Sequence, residues 1–411
     1  MHTRRAPLAG ALAVLAAVPV PHAAAADPFP EGSTVFAVLP DTQYYAHHYP
    51  DIFHAQTQWI AENLAPLNIA AVFHEGDITN RNTPQQWSVA RDAMARVLGR
   101  VPVLMASGNH DHGPNGSADD RSTLLDQYFT PRSFFGRDTR YGTHGAGVLN
   151  HYRLFEAGGR RWIGLALEWA PRHGVVEWAN EVLALHEDRL AIVVVHAYMH
   201  RGPHRLDRQV YGQTQSGSPY AYGTADDPEG TSDGGDLWRN LVSRHPNVVL
   251  VLSGHIGGTG LLSSPTPHGN VVHQMLADYQ SEEEGGAGYL RLIALLPDGA
   301  SLRVRTYSPW EDAWRRDGEN EFGLQLITAP GHGGWICRPD VHPIGGGDGS
   351  LDVNDLLAYL GLFRAGDRRA DLAPTEDGDG VVDVNDLLAF LAAFRAGCPE
   401  PAPDPLPPEP R

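Results

Sequence analysis

Five short apolar runs in this chain are each followed at once by polar side chains. Short apolar runs of this kind are typical of buried β-strands. The polar residues that follow them are Asp41 with Gln43, then Asp77, then Asn109-His110-Asp111, then His196, and last His255. Because ligand sites in open α/β sheets collect at the carboxyl ends of strands, these five groups can converge in space.

The region 27–336 alternates β-rich runs with amphipathic stretches, which predicts a large α/β protein whose sheet is covered on both faces. The predicted strands are Thr34–Leu39, Ile69–His74, Val101–Ala106, Arg161–Leu167, Ala191–Val195, Asn247–Leu252, Tyr289–Leu295 and Ser301–Tyr307. The predicted helices are Ile52–Leu64, Pro84–Leu98, Val175–His186 and Leu237–Arg244.

The chemistry of the five polar groups points to metal binding. Carboxylate, amide and imidazole side chains offer the oxygen and nitrogen donors that suit divalent Fe, Mn or Zn. A carboxylate can bridge two metals, and two metals about 3.5–4 Å apart clamp the attacking and leaving oxygens of an in-line phosphoryl displacement.

In order and spacing the series resembles the calcineurin-like metallophosphoesterases, with their D-x-H, GD, GNH-D, lone H and GH-x-H motifs. The resemblance covers residues 34–307 and implies a two-sheet αββα sandwich that carries two divalent transition metals. It implies that Asp41 binds the first metal and that Asp77 bridges both. The ligands it implies for the second metal are Asn109, His196 and His255.

The same resemblance implies a mechanism for a phosphate-ester substrate. His110, oriented by Asp111, would contact the phosphate and protonate the leaving oxygen. The nucleophile would be a hydroxide that the metals generate at neutral pH.

Two positions depart from the family pattern, and both concern the first metal. Gln43 stands where the family usually has histidine, and Gly257 stands where the second histidine of GH-x-H is expected. His273 could supply the absent imidazole, and Tyr44 or Tyr45 could supply an oxygen instead. We expect a weak or easily exchanged first metal. Because the family contains D-x-Q branches, loss of activity does not follow.

A repeat near the C-terminus predicts a second, smaller domain at 337–398. Leu351-Asp-Val-Asn-Asp-Leu-Leu-Ala-Tyr recurs 31 residues later as Val382-Asp-Val-Asn-Asp-Leu-Leu-Ala-Phe, which indicates two copies of a loop–helix unit. In the second copy Thr375, Asp377, Asp379, Asp383 and Asp386 have the spacing of a calcium loop. The alternative is an acidic helix over Asn385–Ala396 that Asp383 caps.

The first copy of the loop is degraded, because Ile344 and Gly346 occupy its first and third positions. It keeps Asp348, Asp352 and Asp355 and should bind calcium more weakly.

The paired units resemble a type I dockerin of the variant that ends in Gly397-Cys398. This resemblance implies a small helical calcium-loop domain, similar to an EF-hand, that docks a cohesin-like or cell-surface protein. Cys337 and Cys398 bracket the repeats, and we predict that they form a disulfide. Closing a loop of about 60 residues would stabilise the module by roughly 3–5 kcal/mol.

Both ends of the chain read as segments outside the folded domains. Arg4 and Arg5, the apolar stretch Ala6–Val20 and the alanines at Ala24–Ala26 predict a signal peptide over residues 1–26. About 15 apolar residues are too few for a membrane span, which needs roughly 20. We therefore expect a secreted, periplasmic or cell-surface protein without a transmembrane helix. Seven prolines in 399–411 predict a disordered tail.

Composition excludes several function classes. The net charge of −18 argues against binding a nucleic-acid backbone, which needs a basic face. All 31 basic residues are arginine, so no P-loop or Schiff-base lysine is present. Two rivals to a phosphoesterase remain: a binding protein on a phosphoesterase scaffold whose first metal site is too weak for catalysis, and an adhesion protein that acts through the calcium module.

Overall fold

The computed structural model describes residues 29–330, 332–333, 353–367, 370 and 381–396. The strands are β1 Thr34–Leu39, β2 Ile69–His74, β3 Val103–Met105, β4 Tyr141–Thr143, β5 His151–Ala157, β6 Arg160–Ala166, β7 Leu190–Val194, β8 Met199–His200, β9 His204–Arg205, β10 Val248–Ser253, β11 Gly258–Pro265, β12 Val271–Asp278, β13 Leu290–Leu295, β14 Ser301–Ser308, β15 Ala313–Arg315 and β16 Phe322–Gln325. The α-helices are α1 Gln43–His47, α2 Pro50–Asn63, α3 Pro84–Met94, α4 Leu125–Tyr128, α5 Pro131–Phe135, α6 His173–Leu185, α7 Arg208–Tyr211, α8 Gly234–Asn240, α9 Val353–Ala365 and α10 Val384–Ala396.

Two seven-stranded mixed sheets form the centre of the fold. The first has the order β15-β14-β13-β1-β2-β3, with β16 also paired to β14, and the second has the order β11-β12-β10-β7-β6-β5-β4. The neighbours β1, β2 and β3 run parallel in the first sheet. In the second sheet β6, β7, β10 and β12 run parallel. These parallel strands bring the ends of distant chain segments to common edges.

Three hydrophobic layers hold the sheets and helices together. The layer between the sheets includes Phe36 and Trp162, whose ring centroids lie 5.1 Å apart. A second layer packs α2 and α3 on the first sheet around Trp87, and a third packs α6 and α8 on the second sheet around Leu183. Because each sheet is covered by helices on one face and by the other sheet on its other face, the predicted αββα sandwich is confirmed.

The predicted strands agree with the structure to within two residues at each end, and β1 and β2 agree at both ends. Within the described residues, sequence analysis missed eight strands, namely β4, β5, β8, β9, β11, β12, β15 and β16. Glycine and serine, which have low strand propensity, hide β11. Polar residues interrupt the apolar run of β12, namely His273 and Gln274.

Two helices of equal length lie in the region of the C-terminal repeat. Both α9 and α10 have 13 residues, and their first residues, 353 and 384, are 31 apart. They pack through Tyr359 and Phe390, which are fully buried. The two rings are stacked, with their centroids 3.8 Å apart.

Several sequence-based predictions fall outside the described residues. These are the signal peptide, the proline-rich tail, both cysteines (Cys337 and Cys398), and the predicted calcium ligands Asp348, Asp352, Thr375, Asp377 and Asp379. Within the described residues, none of the helices has the length and apolar character that crossing a membrane requires.

Candidate metal centre

Three of the predicted metal ligands meet at the edge of the sandwich. Asp77 follows β2 of the first sheet, whereas His196 follows β7 and His255 follows β10 of the second. One ligand atom from each lies within 4.8 Å of the other two. The predicted convergence of these strand ends is therefore confirmed for Asp77, His196 and His255.

Hydrogen bonds to carbonyl groups orient both histidine rings. Nδ1 of His196 lies 2.8 Å from the carbonyl oxygen of Glu75, and Nε2 of His255 lies 2.8 Å from that of Gly217. Because a carbonyl oxygen only accepts, these nitrogens carry the hydrogens. Nε2 of His196 and Nδ1 of His255 are then left with the lone pairs that a metal needs.

The His255 ring is also held in its neutral, metal-binding form. Desolvation of the buried ring is the main cause that lowers the pKa of His255 to about 3. For Asp77, burial raises the pKa, but the histidines His196 and His110 together lower it by more, to well below its usual range. The carboxylate is therefore ionised whenever the protein is folded near neutral pH.

Unpaired buried atoms mark where a metal fits. Within the described part of the chain, four buried atoms have no hydrogen-bond partner and belong to predicted ligands: Gln43 Oε1, Asp77 Oδ2, Asn109 Oδ1 and His196 Nε2. An unpaired buried polar atom costs about 1–3 kcal/mol. A bound cation satisfies such oxygen and nitrogen lone pairs at once, so these residues fit a divalent metal centre.

Asp41 lies beside this group, at the end of β1. It is 2% exposed, and Oδ2 accepts hydrogen bonds from the backbone N–H of His255 at 3.2 Å and from Nε2 of Gln280 at 3.0 Å. Burial raises the pKa of Asp41 well above its usual value, and the nearby carboxylates of Asp278 and Asp77 raise it further. Gln43 begins α1 two residues later and is 1% exposed.

Sequence analysis missed Asp278 and Gln280, which share this part of the site. Asp278 is the last residue of β12 and is fully buried, and burial raises its pKa to about 6. The signal was an apolar run that ends in a carboxylate, the same pattern that identified the other groups. Glu75, interpreted from the sequence as a strand-end residue, is 1% exposed with Oε2 unpaired among the described residues.

The structure engages two of the residues considered as replacements for the absent histidine in other hydrogen bonds. His273 lies inside β12, and its two ring nitrogens contact Ser263 Oγ and the carbonyl oxygen of Gln325, each at 2.8 Å. The prediction that its imidazole completes the first metal site is wrong, because both nitrogens are already used. The buried Tyr45 hydroxyl instead accepts a hydrogen bond from the N–H of Gly288 at 3.0 Å.

His110 lies next to Asp77 through its backbone. Its N–H donates to Asp77 Oδ1 at 2.9 Å, and its ring Nδ1 lies 3.0 Å from the carbonyl oxygen of Asn80. The ring is therefore oriented by Asn80, with Nδ1 as donor, and only Nε2 is left to transfer a proton.

Asp111 has a different role from the one predicted. It is fully buried and accepts hydrogen bonds from the backbone N–H groups of Gly108, Ile78 and Thr79 and from the Thr79 hydroxyl. The expectation that Asp111 orients the His110 ring is corrected, because its carboxylate instead ties together the two loops that carry Asp77 and Asn109.

Close approach and backbone strain also distinguish this site. A Cβ at Gly108 would collide with the Asp77 carboxylate, and one at Gly254 would collide with that of Asp41. Asp77 and His255 adopt φ values of +47° and +75°, which non-glycine residues rarely do. Such strain persists only where the surrounding structure enforces it, and it is concentrated at functional sites.

Comparison with known proteins places the chain in a family. The sequence model of the family described as calcineurin-like phosphoesterase matches residues 34–257. The chain is 33% identical over 310 residues to the uncharacterised protein YvnB of Bacillus subtilis, covering 72% of this chain. The match covers only 22% of YvnB, so the chain spans about a fifth of that relative.

Similar solved structures include a purple acid phosphatase from yellow lupin (TM-score 0.43, 15% identity, covering 73% of this chain and 55% of that one). A dimetal phosphatase from Danio rerio has a TM-score of 0.40 and 11% identity, with 71% of this chain and 99% of that one covered. The family match over 34–257 spans 224 of the 411 residues, more than half of the sequence. The chain belongs to the calcineurin-like phosphoesterase family.

Proposed function

We propose that this protein is an exported phosphoesterase that hydrolyses phosphomonoesters or phosphodiesters with two divalent transition metals, Fe, Mn or Zn. The observation that carries the proposal is the set of buried, unpaired ligand atoms where the strands of both sheets end. Export rests on the sequence of residues 1–26.

Two groups of side chains would hold the metals. As the family resemblance implies, Asp41, Gln43 and Asp77 would hold the first metal, and Asp77 would serve both metals. The second position takes the remaining predicted ligands, Asn109, His196 and His255. When bound, the metals neutralise charge on the phosphoryl group and activate water near neutral pH.

The chain itself supplies a proton donor next to this centre. Because Nδ1 of His110 donates to the carbonyl of Asn80, proton transfer at this residue passes through Nε2. The backbone N–H of His110 holds the Asp77 carboxylate at 2.9 Å. The side chain is thus tethered beside the centre and can protonate the leaving oxygen of the ester.

The test measures turnover of p-nitrophenyl phosphate and bis-p-nitrophenyl phosphate by the full chain after loading with Mn, Fe or Zn. We expect hydrolysis by the native protein and none by Asn109→Ala, which loses an unpaired ligand oxygen. Asn63→Ala is the matched control. Asn63 is the last residue of α2, and its side-chain amide donates to the carbonyl of Trp59 and not to the metal centre. At most one metal per chain and no turnover at any loading would instead favour the rival binding scaffold.

A second function is favoured by one observation on the C-terminal helices. Val353 and Leu357 of α9 are each 62% exposed, and their counterparts 31 residues later, Val384 and Leu388 of α10, are 60% and 59% exposed. Repetition of the same exposed apolar pair supports a docking surface. We propose that it binds a cohesin-like or cell-surface protein when the adjacent loops hold calcium.

The start of α10 has the acidic residues that this proposal needs. The N–H of Asp383 donates to Asp386 Oδ2 at 2.7 Å, and Asp383 Oδ1 accepts from the N–H of Asn385 at 2.7 Å. This pattern equally suits an N-terminal cap, so calcium titration must decide. We expect calcium-dependent binding of a recombinant type I cohesin that EDTA and Asp386→Ala abolish and that Asp77→Asn leaves unchanged. Absence of calcium uptake in calorimetry would contradict the docking proposal.

A further inference from the structure

The chain segment 278–281 passes beside Gly257, the position at which the family's second histidine is absent. In the antiparallel pair β11–β12, Gly258 lies directly opposite Asp278. A Cβ at Gly257 would lie 2.9 Å from the hydroxyl oxygen of Ser281. A side chain at position 257 would therefore contact Ser281, which belongs to this segment. Here the neighbouring strand supplies a carboxylate at its own end.

Gln280 connects this carboxylate to the first predicted ligand. Its Nε2 donates to Asp41 Oδ2 at 3.0 Å and to Asp278 Oδ2 at 2.8 Å, and its backbone N–H donates to Asp278 Oδ1 at 2.9 Å. Because one amide nitrogen reaches both carboxylates, the two acidic side chains face the same small volume. Asp41 is 2% exposed and Asp278 is fully buried.

The buried carboxylates in this volume favour a bound cation. Asp41, Glu75, Asp77 and Asp278 are all 2% exposed or less. Buried carboxylates are costly unless they are paired or coordinate a metal. Independently, Gln43 Oε1 is buried and has no hydrogen-bond partner within the described residues. A buried amide oxygen and buried carboxylates together supply the oxygen ligands of an oxygen-rich divalent metal site.

We propose that Asp278 is a ligand of the first metal, in place of the histidine absent at position 257, and that Gln280 is a positioning residue that holds Asp278 and Asp41 together. The first metal then has a mainly oxygen donor set, from Asp41, Gln43, Asp77 and Asp278. The inference rests on the proposed function only in requiring two metals, because it concerns their binding and not turnover.

The direct test counts metals in the full chain by mass spectrometry after loading with Mn and removal of free ion. The native protein is expected to keep two ions per chain and Asp278→Asn about one. Asp188→Asn is the control, because Asp188 precedes β7 at the opposite end of the strands and pairs with Arg161 on the surface. Two ions of unchanged affinity in Asp278→Asn would overturn the proposal.

A second variant separates positioning from coordination. Gln280→Ala keeps the carboxylates of Asp41 and Asp278 but removes the amide that holds them in place. We therefore expect the affinity for the weaker ion to fall by about 10–100-fold, as is typical when a group that orients a metal ligand is removed. Unchanged Mn affinity in Gln280→Ala would refute the positioning role.

A crystal of the native protein soaked in Mn gives a readout that does not depend on any variant. Anomalous scattering should place one ion with an Asp278 oxygen in its coordination sphere. Two ions with Asp278 outside both spheres would overturn the inference even if Asp278→Asn failed to fold. Hydrolysis without any effect of Asp278 on metal count would refute this inference alone. Loss of one metal in Asp278→Asn without any native turnover would refute the proposed function alone.

Discussion

Nε2 of His196 lies 3.3 Å from Oδ2 of Asp77, and both atoms are buried. His196 follows a strand of one sheet and Asp77 follows a strand of the other, so this contact crosses the sandwich. Neither atom has a hydrogen-bond partner among the described residues. A cation between them would replace this contact with coordination bonds, which couples metal binding to the stability of the whole domain.

Metal removal should therefore lower the melting temperature. A ligand present at 100 times its Kd stabilises the folded state by about 2.7 kcal/mol, and chelation removes that contribution. We expect EDTA to lower the Tm of the native protein by several degrees and to have a much smaller effect on His196→Ala. Calorimetry checks this, with His273→Ala as a control, because His273 is a buried histidine hydrogen-bonded outside the centre. An equal EDTA effect in all three proteins would contradict the prediction.

Adding one methyl group at Gly108 should disrupt the centre. Its Cβ would collide with the Asp77 carboxylate and with the Asp77 backbone nitrogen, so the loop has to shift. We expect Gly108→Ala to lose bound metal and to unfold at lower denaturant concentration. Gly174→Ala is the control, because the Gly174 Cβ meets no atom within 4 Å and lies in α6, where alanine is favoured by up to about 1 kcal/mol. Metal counting and urea unfolding distinguish the two variants.

His110→Gln should lower kcat while leaving both metals in place. The ring contributes a proton through Nε2 and is not among the predicted metal ligands, and general acid catalysis of this kind is typically worth about 10²–10⁴-fold. Steady-state kinetics with an alkyl phosphate monoester such as glycerol 2-phosphate, together with metal counting, check the prediction. The loss should be smaller for p-nitrophenyl phosphate, because its p-nitrophenolate leaving group needs little protonation. Loss of a metal in His110→Gln would show that the residue acts on the site and not on the ester.

His151 should make stability depend on pH outside the metal centre. Burial lowers the pKa of His151 to about 3, although its Nδ1 donates to the carbonyl oxygen of Val148 at 2.7 Å. Below the ordinary pKa of 6.5 the unfolded chain gains a proton that the folded ring does not accept, so the contribution of this ring is present above pH 6.5 and is lost as the pH falls toward 3. One proton corresponds to about 1.4 kcal/mol per pH unit.

The measurement is the free energy of unfolding in urea between pH 6 and pH 4. The native protein should lose stability with falling pH more steeply than His151→Asn, by about that slope. Parallel pH profiles for the two proteins would contradict the burial of a neutral ring at this position.

The strand-end groups could be predicted from the sequence because each is local. Asp77 and His196 each follow their own apolar run within three residues. A residue that close to the end of a strand lies at the edge of the sheet. The fold class followed from the same runs, since buried parallel strands are nearly continuous apolar stretches. The role of Asp111 was not local: its hydrogen bonds connect loops more than 30 residues apart.

By itself, the sequence determined which chemical groups stand at the strand ends and in which order, and these identify the family. Only the tertiary structure decided how the missing histidine is compensated. The hydrogen bond from Gln280 to Asp41 joins residues 239 positions apart. The pairing of β12 between β10 and β11 sets which side chain reaches the centre: Asp278 at the end of the strand does, and His273 five residues earlier does not. Sequence spacing carries no information about such a contact, because strand order and register arise only when both sheets pack.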